Sequence, residues 1–170
     1  INPYMVDKIG FSTGGYAAKY GDKMSSALDI TYKTLKAKSK KPVVEGSLAA
    51  SLLGADAYIG LGTQKLSWLN SVRYKTTSYL LGSMETKGEY KPNYLDYQTY
   101  LSYQPNKRWK LDFIGYISDN HYNFEPEDRE TKFGTMENVK SFRVYFDGQE
   151  KDRFLTYFGT LGITRQFTAN

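Results

Sequence analysis

The sequence predicts an all-β fold built from antiparallel strands. Segments of about ten residues alternate apolar and polar side chains, as strands with two different faces do. Clusters of Gly, Asp, Asn and Pro separate these segments, as turns do. Aromatic residues make up 16% of the chain, yet its mean hydropathy is -0.58. This combination is typical of strands that contact lipid on one face and water on the other, and it fits a soluble β-protein almost as well.

The first 41 residues contain turn signals followed by a short strand. Gly14-Gly15 and Gly21-Asp22 are predicted turns, because glycine reaches positive φ and aspartate bonds to nearby amides. Residues 27–32 are predicted to form the next strand. The lysines at 36, 38, 40 and 41 indicate a solvated connector. They do not indicate nucleic-acid binding, because no helix or aromatic platform accompanies them.

Alternation dominates from residue 42 onward. Strands are predicted at 44–52 and 57–62, with a reversal at Gly54-Ala55-Asp56 and a tight connection at 63–65. Further strands are predicted at the following ranges: 66–79, 94–104, 109–118 and 155–164. Phe154 and Phe158 interrupt the polarity of the last one.

Charged and amide side chains occupy one face of two of these strands. Arg73 and Lys75 lie opposite Val72 and Tyr74, and Asp96 and Gln98 repeat the pattern. Such a face cannot be a dry core unless its charges are paired. We therefore expect these side chains to face a wet lumen: Arg73, Lys75, Asp96 and Gln98.

The connections between predicted strands alternate in length. Those at 63–65 and 105–108 are short, whereas those at 81–93 and 121–141 are long. Outer-membrane barrels have short turns on the periplasmic side and long loops outside. The sequence therefore predicts an antiparallel transmembrane β-barrel segment. Trp68 and Trp109, each beside a short turn, would form part of an aromatic girdle, or would otherwise be buried aromatics.

No catalytic or metal-binding constellation is recognisable. The chain has one histidine, His121, and no cysteine. The acidic residues near 125–130 match no calcium loop, and basic residues neutralise part of their charge. No run approaches the roughly 18 apolar residues of a membrane-spanning helix. We expect neither an enzyme nor a cofactor nor a metal site.

The stretch from residue 14 to 33 closely resembles the end of the plug domain of TonB-dependent outer-membrane receptors of the Bacteroidetes type. The residues that carry this resemblance, with a structural role implied for each, are Gly14, Gly15, Tyr20, Gly21, Asp22, Ser25 and Ser26. Short motifs farther along resemble the barrel of the same group: Arg73-Tyr74, Lys87-Gly88-Glu89-Tyr90, Asp96-Tyr97-Gln98, Phe133-Gly134-Thr135 and the segments 122–126 and 145–150.

The resemblance implies a domain organisation and a function. Residues 1–41 would be the end of the plug domain and a connector, and residues 42–170 the first strands of a barrel of roughly 22 strands, about six of them present here. Such a receptor binds a scarce nutrient outside the cell and admits it when TonB pulls on the plug. Its location would be the outer membrane of a Gram-negative cell.

The resemblance also implies partners and contacts. TonB would act through a part of the plug that this chain lacks, and a surface lipoprotein, outer-membrane lipid and an unknown nutrient would be further partners. Arg73 and Lys75 would meet plug carboxylates. Ligand contacts, if this segment has any, are expected in the outer loop at four aromatic residues, for which simple loop packing is the alternative: Tyr122, Phe124, Phe133 and Tyr145.

Two other architectures stay open. A self-contained soluble antiparallel β-domain could bind a ligand or a protein partner, and a complete small outer-membrane barrel is a third reading that the plug-like beginning disfavours. About six strands alone would leave two open edges, which are costly in lipid. If the membrane reading holds, we expect the chain to be part of a longer receptor or to need another copy.

Overall fold

The computed structural model describes residues 1–14, 17–21, 25–77, 88–126, 128–135, 138–146 and 148–167. In these residues the regular structure consists of antiparallel strands and two short 3-10 turns, Pro3–Met5 and Ala18–Tyr20. The predicted antiparallel all-β fold is confirmed. No helix in this part of the chain is long and apolar enough to cross a membrane.

Eleven strands lie within the described residues. In chain order they are β1 (Val6–Thr13), β2 (Ser26–Tyr32), β3 (Val43–Ser51), β4 (Gly54–Gly62), β5 (Leu66–Thr76), β6 (Gly88–Tyr90), β7 (Asn93–Asn106), β8 (Trp109–Pro126), β9 (Arg129–Thr135), β10 (Asn138–Val144) and β11 (Glu150–Arg165).

Seven of these strands form one large sheet. Its order is β11-β8-β7-β5-β4-β3, and the short β6 pairs with the far end of β8. Strands β1 and β2 form a separate hairpin, and so do β9 and β10. Within the described residues the large sheet does not close on itself, because β3 and β11 lie at its two edges.

The short turn predicted at 63–65 is confirmed, whereas the other two short turns lie slightly away from their predicted positions. The chain reverses at Leu52 and Leu53, so Gly54 is already the first residue of β4 and the predicted reversal at Gly54-Ala55-Asp56 is wrong. Gly54 has a φ of 136°, and a Cβ there would lie 2.1 Å from the backbone oxygen of Tyr74. Only glycine fits this position. The turn predicted at 105–108 consists of Lys107 and Arg108 alone, because β7 extends to Asn106.

The predicted long loop at 121–141 is largely strand. Strand β8 continues to Pro126, and its extension pairs with β11 and β6. Strands β9 and β10 add a hairpin of their own. The loop prediction failed because this extension of β8 is fixed by pairing with distant segments, β11 and β6, which local sequence patterns do not show. Much of the other predicted loop, residues 81–87, lies outside the described residues, as do residues 78–79 of the strand predicted before it.

Candidate functional site

The large sheet has one apolar face, and the strand register defines it. One row of paired residues crosses the sheet from edge to edge, each next to its partner on the neighbouring strand: Val44, Leu61, Trp68, Leu101, Phe113 and Leu161. Most of these side chains are exposed, with Val44 at 62% and Leu161 at 64%. A water-soluble sheet buries the apolar side of its strands. Here the apolar side is the uncovered one.

Polar groups within the apolar face pair with one another. Trp68 Nε1 donates a hydrogen bond of 3.0 Å to Thr99 Oγ1, and the Tyr97 hydroxyl donates one of 2.8 Å to Asn70 Oδ1. The Tyr74 hydroxyl likewise donates to Asn93 Oδ1, at 3.1 Å. Pairing of this kind removes the cost of placing these groups in a medium without water.

The apolar face has a limited height. Along β8 its outward positions are apolar or glycine from Trp109 to Ile117, and the next one, Asp119, forms two hydrogen bonds of 2.9 and 2.7 Å with Arg153. At about 3.3 Å per residue, the path from Trp109 to Asp119 is about 33 Å long. For comparison, strands of outer-membrane barrels tilt by about 40°, and a strand path of this length at that tilt would span about 25 Å, the height of the apolar band of such barrels.

The opposite, polar face is covered by the beginning of the chain. We call residues 1–5 and 32–37 the N-terminal cover, because they pack on this face. Met5 is fully buried and forms a cluster with three residues of the sheet: Tyr58, Leu69 and Tyr100. The ring of Tyr32 stacks on that of Tyr100 with centroids 4.7 Å apart.

Two glycines let the N-terminal cover approach the sheet closely. The backbone N–H of Leu35 donates to Ser67 Oγ at 3.0 Å, and that of Ala37 donates to the Thr63 carbonyl at 3.2 Å. A Cβ at Gly60 would lie 2.6 Å from the Leu35 side chain, and one at Gly62 would lie 2.7 Å from Leu35. The absence of side chains at these two positions therefore makes room for the cover.

A polar network connects the N-terminal cover to the middle of the sheet. Arg73 forms an ion pair of 2.7 Å with Asp96, and its guanidinium also donates to the Tyr94 hydroxyl at 2.8 Å. Gln98 Nε2 donates to the other oxygen of Asp96 at 3.3 Å, and the Asn2 N–H donates to Gln98 Oε1 at 3.2 Å. Asp96 is only 1% exposed.

The partner of Arg73 differs from the prediction. A carboxylate of the N-terminal segment was expected, and the structure gives it Asp96 of β7 instead. The physical reason is the register, because Arg73 and Asp96 lie directly opposite each other on adjacent strands. Lys75 lies on the same face, half-buried and opposite Tyr94. That this face borders a wet lumen stays a prediction.

The residues of the predicted plug motif lie in and around the β1–β2 hairpin. Gly14 adopts a φ of 71°, as predicted for a turn glycine, whereas Gly21 has a φ of -50° and does not use positive φ. Ser25 precedes β2 and Ser26 opens it opposite Thr13. Gly15 and Asp22 lie outside the described residues.

Tyr20 ties this hairpin together. Its hydroxyl donates a hydrogen bond of 2.6 Å to Asp29 Oδ2, and Lys19 Nζ lies 3.3 Å from the same oxygen. The hydrogen bond from Tyr20 and then that from Lys19 lower the pKa of Asp29. These contacts hold the middle of the β1–β2 connection, at residues 19 and 20, against β2.

The four aromatic candidates of the outer loop lie on different elements. Tyr122 and Phe124 are half-buried on the extension of β8. Phe133 on β9 is 55% exposed, and Tyr145 just beyond β10 is 69% exposed. On the hairpin, Phe142 lies opposite Thr131 and therefore shares a face with Phe133, which sequence reasoning missed because the hairpin was expected to be a loop.

A cavity of about 260 Å³ lies between the N-terminal cover and the polar face. Its wall includes Tyr32 of the cover together with Gln98, Ile114, Tyr116 and Phe158 of the sheet. Among these residues only Gln98 was predicted as a site residue, because the others come to line one cavity only through the register of the sheet. In the described residues no group of three or more His, Cys, Asp or Glu side chains could hold a metal ion.

Comparison of the chain with protein-family models, with curated proteins and with solved structures finds no match.

Proposed function

We propose that this chain is part of a TonB-dependent outer-membrane receptor that takes up a nutrient across the outer membrane. The observation that carries the proposal is the inverted polarity of the large sheet. Its apolar face is exposed, whereas the part of its polar face around Arg73 and Asp96 lies under the N-terminal cover.

Exposure of the apolar face is difficult to reconcile with a protein in water. Monomeric soluble proteins rarely expose contiguous apolar patches larger than a few hundred Å². Here the apolar row continues across six neighbouring strands, and rows above and below it add further exposed side chains, among them Ile59, Val72 and Ile117. Contact of this face with lipid chains would remove the free-energy cost of exposing these apolar side chains to water.

The N-terminal cover supports the plug part of the proposal. A plug must seat against a polar wall without sealing it by a continuous dry core. Met5, Tyr32 and Leu35 of the cover pack on a small apolar cluster of the sheet, while the backbone of Asn2 and Leu35 donates hydrogen bonds to polar side chains. Uptake of a nutrient, dependence on TonB, a surface lipoprotein partner and the absence of enzymatic activity follow from the resemblance of the sequence and are parts of this proposal.

A self-contained soluble β-domain is the second candidate. The cluster of Met5, Tyr58, Leu69 and Tyr100 favours it, because a soluble domain needs a core and this is one. The cluster covers only one side of the sheet. A soluble domain would therefore require a further partner on the apolar face.

Two neighbouring residues of β11 provide the test. Leu161 points to the apolar face and Thr160 to the other, and both are exposed. Because the chain has no cysteine, Leu161→Cys and Thr160→Cys each give one labelling site. After refolding in detergent and transfer to lipid bilayers, each variant is labelled with a nitroxide, and its accessibility to oxygen and to a water-soluble nickel complex is measured.

The proposal predicts opposite results at the two positions. The label at Leu161 should be accessible to oxygen and protected from nickel, and the label at Thr160 should show the reverse preference. Equal access of nickel to both labels would contradict the proposal. So would a chain that is monomeric and cooperatively folded in plain buffer, which would favour the soluble domain.

A further inference from the structure

Basic side chains collect at the short-turn end of the large sheet. We call this group the basic rim; it comprises the lysines of residues 36–41, Lys65, Lys107, Arg108, Lys110 and Arg165. Backbone hydrogen bonds hold its parts together. Ala37 donates to Thr63, Gln104 to Lys65 and Gln166 to Arg108, at 3.2, 2.7 and 2.8 Å.

Among the described residues, most of these cations have no carboxylate partner, and Lys110 is the only member of the basic rim within 4.0 Å of a carboxylate, at 2.8 Å from Asp112. At the opposite end of the sheet two cations are paired, Arg153 with Asp119 and Lys91 with Glu125. Within the described residues, positive charge is therefore more concentrated and less compensated at the short-turn end.

Part of the basic rim directly continues the apolar face. Arg165 pairs with Trp109 in the register, and its guanidinium carbon lies 5.1 Å from the Trp109 ring centre and 4.9 Å from that of Phe167. Arg108 and Lys107 form the adjacent turn. Towards the short-turn end of the sheet, the apolar surface is thus followed by the aromatic rings of Trp109 and Phe167 and then by the cations. The acyl chains, interface and phosphate of a phospholipid follow one another in the same order.

We propose that Lys107, Arg108 and Arg165 bind the phosphate groups of anionic phospholipids in the leaflet around the short-turn end. This inference rests on the proposed function, because it requires the apolar face to contact lipid chains. Guanidinium groups donate several hydrogen bonds to a phosphate, and aromatic contacts hold Arg165 in position for this. Each such cation near an anionic surface should increase membrane partitioning about fivefold.

The experiment is flotation of the full chain with two kinds of vesicle. One kind is pure phosphatidylcholine, and the other also contains phosphatidylglycerol. Arg108→Gln with Arg165→Gln removes two rim charges, and Arg108→Lys with Arg165→Lys keeps them. The matched control is Lys140→Gln with Lys151→Gln, which removes the same net charge from exposed positions at the opposite end.

The expected result is stronger binding of the unmodified chain to the vesicles that contain phosphatidylglycerol. We call this increase in affinity over pure phosphatidylcholine the gain, and the Arg→Gln pair should lower it about 25-fold. The Arg→Lys pair should retain most of the gain, and the control pair nearly all of it. Raising the salt from about 0.1 M to about 1 M should also reduce the gain, because the Debye length shrinks from about 10 Å to about 3 Å.

Other results overturn the inference in distinguishable ways. Equal losses in the Arg→Gln pair and the control pair would mean that only net charge matters. Equal binding of the unmodified chain to both vesicles would refute headgroup binding and leave the proposed function intact. Binding to neither kind of vesicle would refute headgroup binding by this chain, but the proposed function would then be decided by the labels at Leu161 and Thr160, because the open edges at β3 and β11 already disfavour insertion of the chain alone.

Discussion

On the polar face of the large sheet, Leu69 and Asp96 are 0% and 1% exposed, whereas Trp68 and Leu95, the preceding residues on the same two strands, point to the apolar face and are 40% and 49% exposed. The same strands and the same backbone hydrogen bonds carry both faces. What differs is the N-terminal cover, which packs on one face alone. Burial in this molecule therefore follows the position of the cover rather than the polarity of the side chain, which is the reverse of a water-soluble sheet.

The largest expected effect comes from breaking the buried ion pair of the polar face. Asp96→Ala leaves the Arg73 guanidinium largely buried without its carboxylate partner, and we expect a loss of about 3 to 5 kcal/mol in the free energy of unfolding. Urea unfolding of the refolded chain, followed by tryptophan fluorescence, measures it. Asp119→Ala, at the edge of the apolar face, is the control and should cost much less, because its ion pair with Arg153 is exposed to solvent. Equal losses would mean that the cover does not shield Asp96.

A second comparison uses one leucine from each face. Leu69→Ala removes a fully buried side chain from the cluster with Met5, and should cost about 2 to 5 kcal/mol. Leu161→Ala removes a side chain that is 64% exposed and leaves no cavity, so its cost should be much smaller. Both are measured by urea unfolding under the same conditions. A larger loss for Leu161→Ala would contradict the assignment of the core to the polar face.

A third comparison tests the contact between the N-terminal cover and the sheet. Gly62→Ala places a Cβ 2.7 Å from Leu35, whereas Gly159→Ala meets nothing within 4 Å. We expect Gly62→Ala to cost about 1 to 3 kcal/mol and to expose the connector at Lys33 and Lys36 to trypsin. Gly159→Ala should leave the digestion pattern unchanged. Similar digestion of both variants would show that the connector does not depend on this close approach.

The smallest effect is expected in the β9–β10 hairpin, which is exposed on both faces. A hydrogen bond of 2.7 Å from Arg143 lowers the pKa of Glu130 below its ordinary 4.5. The pKa of Glu130 is lower in the folded protein than in the unfolded chain. The pair with Arg143 therefore stabilises the folded protein above pH 4.5, and this stabilisation is lost as the pH falls through the folded pKa.

Carbon-13 titration of the Glu130 carboxyl measures this shift. Arg143→Gln should return the pKa of Glu130 towards 4.5, whereas the pKa of Asp29, which depends on Tyr20 and Lys19, should stay low. An unchanged Glu130 titration in the variant would mean that the pair does not form in solution.

Much of the large sheet was predictable because alternation is a local signal. The predicted ranges 44–52, 94–104 and 109–118 correspond to β3, β7 and β8, and Trp68 and Trp109 were expected beside short turns, where the structure has them. Prediction failed where the signal is not local. Residues 122–126 extend β8 through pairing with the distant β11 and β6, and the reversal before Gly54 depends on a close approach to the Tyr74 backbone that leaves no room for a Cβ.

The candidate site was less predictable than the sheet. Arg73, Lys75, Asp96 and Gln98 were named because charges on one face of a strand are visible in the sequence. The contact of Met5 with Leu69 was not predicted, because no local pattern in the sequence connects residues so far apart in the chain. Gly60 and Gly62 likewise read as strand glycines, and their role appears only where Leu35 approaches them.

By itself the sequence determined the strands and the two polarities of the sheet, because side chains of a strand alternate sides with period two wherever it lies. Only the tertiary structure decided that Arg73 pairs with Asp96, because the register between β5 and β7 is a relation between distant segments. It also decided which face is buried. Alternation is symmetric between the faces, and only packing of the N-terminal cover on the polar side distinguishes them.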